Sequence, residues 1–260
     1  MKLVIKVAAM FLIALLLTPT MTNALGGEGW YLVKRKNDCP GFPGCTNELD
    51  RLGCYYLDKS AYESDEKVLY LTFDAGYENG NVEKILDIMK EEDVRGAFFI
   101  LSNIISKNPE LIKRMHDEGH TVCNHTKNHK NLTKLTDDEI ESNLKSLEDQ
   151  CEKITGVKMT RYFRFPEGMY SLDAVKAVEN LGYKTFFWSI AYADWDNARQ
   201  PSRESAMKSL LDQTHPGGVI LLHPTSETNS QILGDMIREW RRLGYRFGTL
   251  DELVSKNSNK

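Results

Sequence analysis

The sequence predicts an α/β fold, a parallel β/α barrel of about seven β/α units, complete or open by one unit, behind an irregular N-terminal arm. Three observations carry this. From residue 68 onward short apolar runs alternate with amphipathic stretches, and strict alternation of strand and helix means parallel strands joined by right-handed crossovers. The units fill residues 66–255, a span close to barrel size. No Gly-x-Gly-x-x-Gly stands between the first strand and the first helix, so the main rival, a doubly wound sheet with a dinucleotide site, lacks its usual signature.

In chain order, residues 1–24 read as a secretory signal peptide. Lys2 and Lys6 flank the start of an apolar run from residue 7 to 17, which is too short to span a bilayer comfortably, and small residues precede a cut after Ala24. The alternative is an uncleaved N-terminal anchor, and either way the folded part works outside the cytoplasm. Residues 25–65 are richer in Gly, Pro and Cys and read as an arm rather than a second domain. Strands follow at residues 68–73, 97–100, 121–123, 161–165, 185–190 and 219–222, with 247–250 as a short last one. Pro109 opens a helix that Gly119 ends. Thr136-Asp137-Asp138-Glu139 has the capping-box pattern ahead of the apolar face Ile140, Leu144, Leu147, Cys151 and Ile154. Residues 256–260 are a polar tail.

Composition excludes several classes. With 260 residues, 41% hydrophobic and 27% charged, the chain buries a core without staples, and disorder, collagen and coiled coil are excluded. A formal charge of -4, or -6 once Lys2 and Lys6 leave with the leader, offers no basic footprint for nucleic acid. Five cysteines cannot all pair. Cys39–Cys45 or Cys45–Cys54 is a possible staple of the arm, whereas Cys123 and Cys151 sit in apolar patterns and read as buried thiols.

Polar residues gather just after the strands: Asp74 after the first, His125 and His129 after the third, Arg164 at the end of the fourth, Asp194 and Trp195 after the fifth, and His223 ending the sixth. In a β/α barrel these positions converge on the C-terminal face, where active sites are built. Each has a bland reading when taken alone. Asp74 suits a helix N-cap, the His-x-x-x-His spacing is usually incidental, His223 suits a hydrogen-bonded loop histidine, and Arg164 a surface ion pair. Five strand ends together offering acid, imidazole and guanidinium are not explained that way.

These residues carry a resemblance. Thr72-Phe73-Asp74-Ala75-Gly76, the His125 to His129 segment, Arg164-Phe165-Pro166, Asp194-Trp195 and Leu221-Leu222-His223 resemble, in order, the five motifs of the polysaccharide deacetylases, carbohydrate esterase family four. The match runs over about residues 67–254. Within the family the chain most resembles the spore-cortex peptidoglycan N-acetylmuramic acid deacetylases of the delta-lactam pathway, through residues 76–80, 166–171, 187–195 and Gly29-Trp30-Tyr31. The resemblance implies a deformed β/α barrel and hydrolysis of a glycan N-acetyl group. It implies Asp74 as general base, Arg164 as its clamp, His125 and His129 as ligands of a divalent metal, most naturally zinc, and His223 as general acid tuned by Asp194. It further implies that Leu221 and Trp195 wall the acetyl methyl and that the backbone amide of Glu167 faces the oxyanion. Amide hydrolysis asks for the same parts: an activated water, a stabilised oxyanion and a proton for the amine.

Two departures stand out. Ala75 replaces the family's usual aspartate ligand, which weakens the expected metal affinity, and the acidic Glu167 side chain would repel the lactyl carboxylate of muramic acid, leaving Lys127 or Arg199 to receive it. The expected partner is the peptidoglycan glycan strand, with no nucleic acid or protein partner. Two alternatives are an N-acetylglucosamine deacetylase of peptidoglycan, chitin or exopolysaccharide, and a silent glycan-binding envelope protein. Retention of Asp74, Arg164, Asp194 and His223 argues against the silent protein, because a binder has no use for a base, its clamp and an acid.

Overall fold

The computed structural model describes residues 27–257, so the leader read at residues 1–24 and the last three residues of the tail lie outside it. In chain order come β1 (Glu28–Gly29), α1 (Thr46–Arg51), α2 (Lys59–Ser64), β2 (Val68–Ala75), α3 (Val82–Glu91), β3 (Ala97–Ile100), α4 (Ser102–Lys107), α5 (Pro109–Asp117), β4 (Thr121–Asn124), α6 (Asp137–Thr155) and β5 (Thr160–Phe163). They are followed by β6 (Met169–Tyr170), α7 (Leu172–Asn180), β7 (Lys184–Thr185), α8 (Arg203–Gln213), β8 (Gly218–Leu222), α9 (Glu227–Arg242), β9 (Arg246–Phe247) and α10 (Leu250–Asn257). None of the described helices is long and apolar enough to cross a membrane.

The 7-stranded parallel sheet runs in the order β7-β5-β4-β3-β2-β8, with β9 paired to the start of β2. Strand β2, which pairs with β3, β8 and β9, is apolar on both faces because both are covered. Leu69, Leu71, Phe73 and Ala75 pack outward against α3 and α9 through Val82, Ile85, Ile232 and Met236. Val68 and Tyr70 face the interior with Phe99, Cys123, Phe186 and Val219. The two-residue period of a strand then puts Thr72 and Asp74 on that interior face, with Asp74 at the C-terminal rim. The capping box is present, Thr136 and Glu139 bonding each other's backbone amides at the head of α6.

The barrel is deformed where it closes. Of residues 185–190 only Thr185 belongs to a regular strand; the rest crosses from one sheet edge to the other, Phe186 N–H donating to Phe163 O at 2.8 Å and Leu221 N–H to Ile190 O at 2.9 Å. The arm fills the gap. Tyr55 N–H donates to Thr185 O at 2.8 Å and Phe187 N–H to Tyr55 O at 2.7 Å, while Leu57 bridges to Gly218. Gly217, at φ 72°, permits this approach, since a Cβ there would lie 2.2 Å from Asp58 O.

Residues 25–65 are therefore less irregular than expected: β1 pairs antiparallel with β6, and Trp30, Leu49, Tyr56 and Leu57 join a core with Phe163, Phe165 and Phe187. The fourth strand stops at Phe163, because Pro166 lacks an amide and the chain turns, and Leu250 opens α10 rather than ending a strand. All five cysteines are free thiols, so the arm is held by packing rather than by either disulfide considered; Cys123 and Cys151 are buried as expected. Cys45 Sγ instead lies 2.7 Å from Tyr170 Oη, across the β1–β6 ribbon.

Candidate active site

The strand ends converge on a cavity of about 510 Å³ lined by Asp74, His129, Glu167, Gly168, Trp188, Trp195, Leu221 and His223. Arg164, His125 and Asp194 stand directly behind its walls, so the structure brings together the residues of all five motifs.

On one side Arg164 is fully buried and makes four hydrogen bonds. Its Nη1 donates to Asp74 Oδ1 at 2.8 Å, its Nη2 to Thr72 Oγ1 at 2.8 Å and to Phe187 O at 3.4 Å, and its Nε to Phe186 O at 3.3 Å. Phe99 lies under the guanidinium at 4.2 Å. Such a fork fixes the carboxylate's orientation as well as its charge. Burial pushes the Asp74 carboxyl up, but Arg164 together with His125 and His223 outweighs it and holds the group below the ordinary range, so it stays ionised.

On the opposite side His223 Nδ1 lies 2.8 Å from Asp194 Oδ1. A carboxylate accepts, so Nδ1 carries the proton and Nε2 is the ring nitrogen left for the cavity. Asp194 is buried and also accepts the His223 amide at 2.7 Å and Asn229 Nδ2 at 2.6 Å, while Asn229 Oδ1 takes the Tyr192 hydroxyl. Burial lowers His223, and the charge and hydrogen bond of Asp194, with a smaller contribution from Asp74, more than reverse this, leaving the imidazole above its usual value.

The His-x-x-x-His segment is a loop, not a helical turn. Thr126 at φ 73° and His129 at φ 57° are left-handed, held by the Asn124 side chain on the Thr126 amide (2.9 Å) and Asn143 on the Lys127 amide (2.8 Å). The two rings sit 5.1 Å apart. His125 Nδ1 lies 2.9 Å from Arg164 O, a carbonyl that only accepts, so the proton is on Nδ1 and Nε2 is bare. That bare nitrogen faces Asp74 Oδ2 at 3.5 Å, and burial first of all pushes His125 down to about 4, so no proton sits between them near neutrality. A bare imidazole nitrogen beside a second imidazole suits a cation held by His125 and His129. Among the described residues no group of three or more His, Cys, Asp and Glu is arranged for an ion, and fully buried Ala75 offers no donor, so the fit is a two-imidazole one.

Glu167 adopts φ 56°, followed by Gly168 at φ 66°, in the turn after Pro166. Its side chain is exposed at the cavity wall. The turn is buttressed by the arm: Trp30 N–H donates to Gly168 O and Trp30 Nε1 to Trp188 O, both at 2.9 Å. Trp195 is 65% exposed at the rim, an aromatic face open to a planar or sugar-like partner. Lys127 and Arg199, considered as carboxylate receivers, do not border this cavity. Glu78 accepts the Gly80 amide within its own loop and does not line the cavity. Sequence reasoning missed Asn229, Gln200 and Thr72. Asn229, in the first turn of α9, looks like an ordinary cap residue in sequence, and Gln200, which donates to Asp194 O at 2.9 Å, lies in a loop with no pattern.

The polysaccharide deacetylase family profile matches residues 61–186. The chain is 39% identical over 206 residues to the peptidoglycan-N-acetylmuramic acid deacetylase PdaA of Bacillus subtilis, covering 79% of this chain and 77% of that one. It is 32% identical over 197 residues to a peptidoglycan-N-acetylglucosamine deacetylase of Bacillus cereus, covering 74% and 90%. The solved structure of Bacillus subtilis PdaA, a family 4 carbohydrate esterase, superposes with a TM-score of 0.81 at 37% identity, covering 88% of this chain and 97% of that one. With its barrel, ordered motifs and relatives in agreement, the chain belongs to the polysaccharide deacetylase family of hydrolases acting on amide bonds.

Proposed function

We propose that the chain is an exported peptidoglycan N-acetylmuramic acid deacetylase whose product, a muramic amine beside a free lactyl carboxylate, closes to the delta-lactam of spore cortex. The observation that carries it is the opposed pair of ion pairs, Asp74 on buried Arg164 and His223 on buried Asp194, across one cavity. The relative PdaA, by its name, acts on N-acetylmuramic acid, and this supports the choice of sugar.

The residues divide the reaction as follows. Asp74, ionised and fixed by Arg164, takes a proton from water as the water oxygen bonds to the acetyl carbon. The oxyanion that forms is met by the Glu167 backbone amide, which makes no hydrogen bond among the described residues. His223, protonated at Nε2 and held by Asp194, gives its proton to the nitrogen as the C–N bond breaks, releasing acetate and the amine. Leu221 and Trp195 bound the space for the methyl group. His125 and His129 would hold a divalent ion, zinc being the one imidazole suits best, and the ion would supply Lewis-acid polarisation of the carbonyl and a lowered pKa of water.

A second reading, deacetylation of N-acetylglucosamine, is favoured by the acidic Glu167 on the cavity wall. Acetate release and glycan binding by Asp74→Asn and His223→Ala test the mechanism. Each is expected to lose on the order of 10²–10⁴ in rate while keeping its affinity. Near wild-type turnover in either removes that residue from the reaction, and full binding with no turnover in the unmodified protein supports the silent glycan binder.

A further inference from the structure

The catalytic cavity opens into a second groove of about 290 Å³, lined by Trp30, Leu32, Lys34, Tyr192 and Ala193 and sharing Trp188, Trp195, Leu221 and His223 with the first. One wall is the N-terminal arm, held in place by the Trp30 bonds to Gly168 and Trp188 and by Val33, whose N–H and C=O both pair with Gly41 at 2.8 and 2.9 Å. The two compartments differ in charge. The catalytic side carries the carboxylates of Asp74 and Glu167, whereas the groove lining contains no Asp or Glu, and Lys34 is its one Lys or Arg. Lys34 belongs to a run of three cations. Arg35 pairs with Asp38 and Lys36 with Asp212, each at 4.0 Å, but Lys34 has no carboxylate partner among the described residues.

We propose that this groove is a carboxylate-reading subsite in which Lys34, carried on the N-terminal arm, receives an acidic substituent of the glycan whose N-acetyl group lies in the catalytic cavity. The inference rests on the deacetylase reading above and adds the group that sets its specificity. A carboxylate turned toward Glu167 meets repulsion. Turned toward the arm it meets an unpaired ammonium and aromatic walls, which favours a charge-assisted hydrogen bond. The chemistry has two sources, the lactyl carboxylate of the reacting muramic residue after its stem is removed, or a stem carboxylate on a neighbouring residue.

The test compares wild type, Lys34→Ala and Lys34→Arg on stem-free glycan strands, on the same strands with the lactyl carboxylate converted to a methylamide, and on strands that keep their peptide stems. Lys34→Ala is expected to shrink the preference for free over amidated lactyl groups about tenfold, through KM rather than kcat, and Lys34→Arg to keep most of it. If the loss appears only on stem-bearing strands, the subsite stands and the carboxylate is the stem's. An unchanged lactyl preference in Lys34→Ala together with no loss on stem-bearing strands, or an equal loss on all strands, overturns the proposal. Should the protein deacetylate only neutral glucosamine oligomers, the muramic reading fails and the subsite is judged separately. Calorimetric binding of stem-free strands to Asp74→Asn with and without Lys34→Ala then decides: tenfold weaker binding supports the subsite, equal binding overturns it.

Discussion

Replacing Asp194 by Asn tests the acid half of the site most sharply. The carboxylate is buried and accepts three hydrogen bonds, from His223 Nδ1 (2.8 Å), the His223 amide (2.7 Å) and Asn229 Nδ2 (2.6 Å). An amide of the same shape accepts on one side only and turns an NH2 toward one of those donors. His223 then loses both the opposite charge that raises it and the acceptor that keeps the proton on Nδ1. With burial left as the main influence, the imidazole falls, at about 1.36 kcal/mol of imidazolium stabilisation per pKa unit. The acid is then depleted near neutrality and set in the wrong tautomer, so kcat is expected to fall on the order of 10²–10⁴ with little change in KM. The assay is acetate release across pH. Wild type should keep its activity above the usual imidazole range, and in Asp194→Asn the alkaline limb should move to lower pH. Stability follows the same sign. The His223–Asp194 contribution is fully present below pH about 6.5 and is lost as pH rises through the folded-state value, and the variant should lack that dependence. A variant with wild-type kcat and an unmoved alkaline limb would refute the assignment of His223 as the acid.

Other consequences are as direct. Arg164→Leu strands a buried Asp74 carboxylate and is expected to cost about 3–5 kcal/mol in denaturant unfolding. Because Arg164 is what holds Asp74 low, any residual activity should show its acid limb shifted to higher pH. Gly168→Ala forces a side chain onto φ 66° with its Cβ 2.9 Å from Trp188 Cη2 and 3.0 Å from Trp30 Cβ, so it should destabilise by about 1–3 kcal/mol and lower kcat by shifting the Glu167 amide. With two imidazoles and Ala75, activity should vanish on mild chelation and return with added zinc. His129→Ala should raise the zinc concentration needed for half activity; full activity in chelator would end the metal-assisted account.

Much of this site was readable before any coordinates. Asp74, Arg164 and His223 stand at or just beyond the ends of apolar runs, where strand ends meet the C-terminal face; which face of β2 Asp74 takes was not readable, because both faces of that strand are apolar. What the sequence hid is long-range. The closure through Tyr55 and Leu57 depends on an arm whose composition reads as loop, and on the close approach at Gly217. Asn229 supports Asp194 from 35 residues away, and no local pattern distinguishes it from a helix-start asparagine. Lys34 sits in a basic run whose members are alike in sequence and differ only in which neighbours neutralise them.

The central claim, that this site removes the acetyl group from muramic acid, is tested most directly by mass spectrometry of purified peptidoglycan strands, with and without stems, after incubation with the zinc-loaded protein. The account predicts loss of one acetyl group per muramic residue on stem-free strands and lactam on subsequent closure, with glucosamine residues intact. Deacetylated glucosamine beside untouched muramic acid would contradict it.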